Sequence, residues 1–391
     1  MKVLKIVALS IITLITSIYI LTRLIVPAYL DKDMNKVFAG APYKVSNEAQ
    51  LLYDSIDFVS DLHCDVLLWD RDILEEHDHG HVDVPRMINA NMALQAFTIV
   101  SKTPRNMNFD NNDDKTDNVT LLSIVQGRPW NALVSLKYRA LVQANSLFEF
   151  AEESEGKFRV ITSATELQKF IEDRKDNQEI TAGFLGAEGA QILEGNIEYI
   201  DDIYNAGLRM VGPVHFFDNE VGGSAHGINK GGLTEFGRRA IKKMQNKKMI
   251  IDLSHASPRL VDDILSISTQ PLIVSHTGVK GTCNNVRNLS DRHLQEIANG
   301  GGLIGIAMFE QAVCGNDAKA TAKSIRYTVD LVGLQYVALG SDFDGAVLAH
   351  FDVTGLPLIV DALLDEGFNA REIAMIMGGN VKTFLLKNLP A

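Results

Sequence analysis

Two short apolar runs, Ile251-Asp252-Leu253-Ser254-His255 and Leu272-Ile273-Val274-Ser275-His276, close on the same Ser-His pair. Such runs read as strands buried on both faces, the kind found in parallel sheets covered by helices. A polar side chain at the C-terminal tip of one sits where α/β barrels carry their chemistry. Six more runs end in the same way, near Asp65, Val100, Glu188, His215, Met308 and Asp342, which makes eight. Helical periodicity fills most intervals. From Glu235 to Lys247, for example, Phe236, Ala240, Ile241 and Met244 form one stripe, with Arg238, Arg239, Lys242 and Lys243 outside it. The alternation predicts an α/β fold, a (β/α)8 TIM barrel. An open doubly wound sheet is the alternative, but it would spread the tips along a crevice and would not gather them in a ring.

The tips share a chemistry. Ile56 to Leu62 leads into His63-Cys64-Asp65, and strand alternation puts His63 and Asp65 on one face and Cys64 on the other. Ile180 to Ala187 ends on Glu188, and Tyr336 to Gly340 leads into Ser341-Asp342-Phe343-Asp344. With His255 and His276 these residues supply nitrogen and carboxylate donors without thiolates, a set suited to a catalytic zinc or a related divalent ion. By the same alternation Asp344 shares a face with Asp342 and suits a supporting role, while Asp252 is placed to hydrogen-bond within the barrel interior. His77, His79 and His81 alternate within a polar loop and read as solvated or structural. His226, in the Gly-rich stretch 222–227, either lines the site near His215 or is structural.

At 391 residues and 46% hydrophobic content, the chain accommodates a barrel of roughly 250 residues with insertions. A net charge of −12 without a basic stripe argues against nucleic acid as a partner. The three cysteines, Cys64, Cys283 and Cys314, show no CxxC spacing and read as isolated buried thiols. Near the N-terminus, Ile6 to Thr22 contains no charged residue, at the lower limit of roughly 17 to 25 for a spanning helix, and Arg23 follows. Ala39-Gly40-Ala41 lies far beyond this run and precedes Pro42, so the segment reads as an uncleaved anchor with its N-terminus inside. The expected organisation is an anchor over 1–30, a connector over 31–54 and a catalytic barrel over 55–391, which removal of residues 1–40 should leave soluble and active. The polar stretch Asn106 to Asp117 opens an insertion after the second strand, read as a loop with one or two helices extending to Gly156.

The ordered motifs carry a resemblance. They are Asp61-Leu62-His63-Cys64-Asp65, Gly80-His81-Val82-Asp83-Val84-Pro85-Arg86, Ala187-Glu188-Gly189, Gly231-Gly232-Leu233-Thr234-Glu235-Phe236-Gly237, Ile251 to His255, Val274-Ser275-His276, Val286-Arg287-Asn288 and Gly340 to Gly345. In order and spacing over roughly residues 55 to 386 the chain resembles the membrane dipeptidase (renal dipeptidase) family of zinc metallopeptidases, within the amidohydrolase-like barrels. The resemblance implies two Zn2+ per chain, with His63 and Asp65 on one, His255 and His276 on the other, and Glu188 bridging both. It further implies that His215 polarises the substrate, that Asp342 handles the proton, and that Arg287 meets the substrate's terminal carboxylate. The expected reaction is dipeptide hydrolysis by a metal-bound hydroxide, on the extracytoplasmic, periplasmic side of a membrane, with a homodimer common in the family resembled.

One departure is Ala307-Met308-Phe309 after the seventh run, where many relatives have an Asn-Phe-aromatic arrangement; it touches a wall of the pocket and no metal ligand. Two alternatives to the dipeptidase are another amidohydrolase-superfamily enzyme, a lactonase or phosphoesterase, and a membrane-tethered binding protein without catalysis. The first commonly begins with His-x-His and bridges its metals through a carbamylated lysine, unlike His63-x-Asp65 and Glu188. The complete donor set and Asp342 weigh against the second.

Overall fold

The computed structural model describes residues 2–391. Its strands are β1 (Val59–Cys64), β2 (Met92–Val100), β3 (Phe158–Val160), β4 (Thr181–Glu188), β5 (Leu208–Val211), β6 (Ile250–Ile251), β7 (Ile273–Thr277), β8 (Leu303–Ile306) and β9 (Val337–Leu339). They pair in parallel in the orders β1-β2-β4-β5-β6 and β7-β8-β9. Single parallel bridges, Asp252 to Ile273 and Cys64 to Phe343, lie at the two seams between these sheets. The result is the curled parallel sheet of a (β/α)8 barrel, with ladder pairing interrupted at the seams. Leu62, Leu94, Phe184, Met210, Ile250, Ile273, Leu303 and Ala338, one from each of the eight expected strands, share one buried cluster. The additional strand, β3, pairs only with the start of β4. Three residues are too few to show a period in sequence.

Close approach of backbones draws the ring together beneath β7. A Cβ on Gly340 would lie 1.9 Å from the carbonyl oxygen of Ser275, and one on Gly305 would lie 2.2 Å from it. Only glycine fits at either position.

Helices α1 (Lys2–Met34) and α2 (Asn47–Asp54) precede the first strand, and α3 (Val84–Asn89) leads into β2. The insertion after β2 holds three helices, one more than the upper expectation: α4 (Asn118–Val125), α5 (Trp130–Val134) and α6 (Leu136–Glu153). Pro129 and the N-cap Ser135 divide the apolar stretch into separate turns. Glu235–Asn246 is helical as its stripe predicts, with Thr234 capping Gly237 N.

Helix α1 is long and apolar enough to cross a membrane over Lys5–Met34. It continues past residue 30, and its last turns dock on the barrel. Asp31, only 2% exposed, accepts from Arg71 Nε at 2.9 Å and Nη2 at 2.7 Å. Arg71 Nη2 also donates to Asp344 Oδ1 at 2.8 Å, and Asn35 Oδ1 accepts from Ala346 N at 3.0 Å. Residues 31–35 thus clamp the loop that follows β9, and the connector begins later than composition indicated. The structure therefore moves the cut for a soluble form. A chain starting at residue 23 keeps the clamp, whereas one starting at 41 loses Asp31 and Asn35. The second should be less stable by about 1.5–3 kcal/mol, the worth of charge-assisted hydrogen bonds, and show a lower Tm in the same detergent. Equal Tm values would mean that the clamp contributes nothing.

Candidate active site and metal centre

Asp65, Glu188, His255, His276 and Asp342 stand at or just past the tips of β1, β4, β6, β7 and β9, and His215 follows β5. The eight-run reading placed them together, and the fold gathers them around one point. His255, His276 and His63 bring Nε2 to 2.9, 3.3 and 3.6 Å from Glu188 Oε1. His215 Nε2 lies 3.1 Å from Glu188 Oε2, and Asp65 Oδ1 lies 3.5 Å from His63 Nε2. Asp342 Oδ1 stands 3.9 Å from the same His63 nitrogen.

Ser275 fixes the rings. Its Oγ donates to Asp252 Oδ2 at 2.6 Å and lies 3.0 Å from His63 Nδ1 and 2.9 Å from His276 Nδ1. A hydroxyl whose proton goes to a carboxylate can only accept from these rings, so each carries hydrogen on Nδ1 and turns Nε2 inward. Asp252 also accepts from Ser254 N, Ser254 Oγ and Ser275 N. Although Asp252 lies close to His63 and His276, these four donors use its acceptor capacity, leaving it a positioning residue. The serine before each histidine was the sequence signal for this arrangement.

The donor set fits metal ions on two observations. Glu188 Oε1 is buried with no hydrogen-bond donor, although three ring nitrogens surround it. Lone pairs facing a carboxylate repel one another unless a cation lies between them. The electrostatics agree. Burial pushes Glu188 well above the usual carboxylate range, with Asp65 adding to the shift. Burial would depress His63, but Asp65, Glu188 and Asp342 hold it up to about 10. His255, His276 and His215 are pushed well below the ordinary histidine value, first by burial and then by neighbouring cationic groups. A pocket with this many buried carboxylates calls for positive charge beyond its histidines. His63, Asp65 and Glu188 make one compact group of donor atoms, and Glu188, His215 and His255 another.

Asp342 and His255 have left-handed backbones, with φ of +65° and +61°. Burial pushes the Asp342 carboxyl up to about 6. Asp344 departs from the expected shared face. Its own φ is +57°, which breaks strand alternation and turns its carboxylate to Arg71 and to the backbone N–H groups of His81 and Val82. His81 is buried on Asp344 N, and His77 bonds the carbonyl of Asp72, away from the cluster. His226 is buried beside the site. Its ring lies 5.1 Å from that of His255 and 4.7 Å from that of Phe216, and Nδ1 bonds Phe109 O.

Arg287 closes the far side. It is 5% exposed, and Nη2 donates to His276 O at 3.2 Å, while Nη1 is buried without a partner. An unpartnered buried guanidinium N–H is costly, and here it adjoins a cavity of about 690 Å³ whose floor is Asp65, Glu188, His215, His255 and Asp342. Phe309 forms a wall of that cavity, with its ring 5.7 Å from the Arg287 guanidinium, whereas Met308 is wholly buried. The departure at 307–309 therefore presents one aromatic to the cavity. Sequence reasoning missed the opposite rim. Val26, Leu30 and Met34 of α1 and Leu121 and Leu122 of α4 line it, because the end of α1, read as anchor to residue 30 and connector beyond, docks on the barrel.

Cys283 and Cys314 are joined in a disulfide, with Cα atoms 5.3 Å apart, which corrects their reading as isolated thiols. The loops after β7 and β8 bring together cysteines 31 residues apart, a pairing that spacing alone does not specify. The bridge ties the Arg287 loop to the chain beyond Phe309, and Asn288 Nδ2 reinforces it through Cys283 O and Ala312 O. Replacing both cysteines by alanine should cost about 2–4 kcal/mol, read as a lower denaturant midpoint. An unchanged midpoint would mean that the hydrogen bonds hold the loops by themselves.

The membrane dipeptidase family, peptidase family M19, matches residues 45–385. The chain is 30% identical over 250 residues to an uncharacterized protein in the pqqA 5' region of Klebsiella pneumoniae, covering 60% of this chain and 90% of that one. It is 27% identical over 223 residues to dipeptidase 3 of Mus musculus, covering 54% of this chain and 45% of the mouse protein, so about half the length of that relative is spanned. Its structure superposes with a TM-score of 0.70 and 25% identity on a metallopeptidase from Rhodobacter sphaeroides bound to a phosphinate mimic of the dipeptide L-Ala-D-Ala, covering 85% of this chain and 99% of the other. This chain belongs to the membrane dipeptidase family of metallopeptidases, which hydrolyse peptide bonds.

Proposed function

We propose that the protein is a dipeptidase with two Zn2+ per chain, His63 and Asp65 holding one, His255 and His276 the other, and Glu188 both. The observation that carries this reading is the unpartnered Glu188 Oε1 with three imidazole nitrogens 2.9–3.6 Å from it. Two such cations, when bound, would supply Lewis acidity at the reacting carbonyl and water. The chain's own residues do the rest. Arg287, with its spare Nη1, receives the substrate's terminal carboxylate. His215, on the Oε2 side of Glu188, stabilises the oxygen on which charge develops. Asp342, held near pH 6 by burial, takes a proton from the attacking water and hands it to the leaving amine.

The substrate proposed is a dipeptide, in keeping with the ligand of the Rhodobacter relative. A panel of dipeptides including L-Ala-L-Ala and L-Ala-D-Ala, assayed alongside metal content, tests the reading. Hydrolysis with two zincs per chain is the expected result. Inactivity of zinc-loaded protein on the whole panel would overturn it.

The domain proposal keeps α1 as a retained anchor. Cleavage near Ala39-Gly40-Ala41 would strip Asp31 and Asn35 from the buried clamp on Arg71 and Ala346. The catalytic domain is proposed on the extracytoplasmic, periplasmic side, a reading supported by the disulfide, since disulfides persist in oxidising compartments. A homodimer is part of the same proposal and is tested by sedimentation in detergent.

A further inference from the structure

The exposed apolar surface of the chain does not stop at the end of the uncharged run. Leu24 and Tyr29 of α1 are 72% and 65% exposed, and beside them α4 and α5 expose Leu121, Ile124, Trp130 and Val134. Two contacts fix how these helices lie. Helix α4 packs on α1, and the turn that follows it passes against Arg23, since a Cβ on Gly127 would lie 2.6 Å from the Arg23 guanidinium carbon. Arg23 is the first charge after Ile6 to Thr22, a stretch about 26 Å long as a helix, close to the thickness of a bilayer's hydrocarbon core. The α4–α5 turn is therefore level with the membrane boundary. Trp130 is 75% exposed there, at the depth where tryptophan is enriched in membrane proteins. Val26 and Leu30, which line the catalytic cavity, follow Arg23 within about 10 Å along the same helix.

We propose that the α4–α5 hairpin is a second membrane-contacting element, seated in the lipid interface beside α1, so that the apolar rim of the catalytic cavity rests on the bilayer surface. The occupant of the patch is lipid. Continuity carries the argument, because the exposed faces of α4 and α5 extend a surface that the α1 run already commits to hydrocarbon. The inference rests on retention of α1, as proposed above.

The chain has two tryptophans, and Trp69 is only 4% exposed, so the emission lost on Trp130→Phe reports on the hairpin. Full-length protein is reconstituted in phosphatidylcholine vesicles, with and without bromine on the upper acyl carbons. Flotation of intact-mass protein with the vesicles establishes that α1 is retained, and L-Ala-L-Ala hydrolysis by the same vesicles reads the proposed activity separately. Bromolipid is expected to quench most of the Trp130 emission and to leave that of Trp69. Trp130 open to aqueous iodide and untouched by bromolipid would overturn the proposal. Trp130 shielded from both quenchers would also overturn it and assign the patch to a protein partner such as a second copy. Protein that does not float, or that lacks α1 by mass, would overturn it by removing the anchor on which it rests.

Discussion

Glu188→Gln should abolish dipeptide hydrolysis, with a loss on the order of a thousandfold or more in kcat, comparable to removing a principal electrostatic element of an active site. The amide keeps the shape of the side chain and loses its charge. Oε1 receives no hydrogen bond in the folded protein, so neutralising the side chain leaves the fold intact and removes the negative charge that His63, His255 and His276 surround. Zinc content should fall with activity while Tm of the metal-free protein changes little. His77→Ala is the matched control, because that ring bonds a carbonyl in an outer loop. Elemental analysis showing two zincs per chain in the Glu188 variant would end the bridging assignment.

Arg287→Ala should lower kcat/KM on free dipeptides by tens- to hundreds-fold, the equivalent of about 1.5–3 kcal/mol for one charge-assisted contact. The structure sharpens this expectation. Nη2 is committed to His276 O, while Nη1 is unpartnered and the side chain lines the cavity, so a donor remains for a substrate. C-terminally amidated dipeptides offer no carboxylate and should lose much less. Arg287→Lys should rescue poorly, because an ammonium cannot hold His276 O and a carboxylate with the geometry of the guanidinium fork. Equal losses on free and amidated substrates would show that Arg287 supports the rings of His255 and His276 and does not read the carboxylate.

The ring of strands and its polar tips were legible in sequence because buried parallel strands are continuous apolar runs that stop where the chemistry begins. The amphipathic helix at Glu235 was legible for a related reason, its stripe being sharp. What escaped depended on contacts distant in sequence. The Cys283–Cys314 bridge needs two loops to meet, and nothing near either cysteine announces the other. The docking of α1 hinges on Asp31 finding Arg71 forty residues later, while the surrounding composition resembles an ordinary polar linker. Asp344 was misdirected by a sound rule applied beyond the strand's end at Leu339: alternation holds only while the backbone stays extended, and Asp342 already leaves that region. The extra helix of the insertion, α5, was hidden by its brevity, five residues between Pro129 and Ser135.

The left-handed backbones of His255 and Asp342 bear on how this protein tolerates directed evolution. Glycine is the residue at ease there, and each non-glycine occupant costs about 1 kcal/mol or more, which the rest of the barrel offsets. A library selected only for heat resistance would thus be rewarded for discarding a ring nitrogen and a carboxylate from the reaction centre. Durable variants from such a selection should accumulate substitutions at these two positions, unless every round also demands turnover.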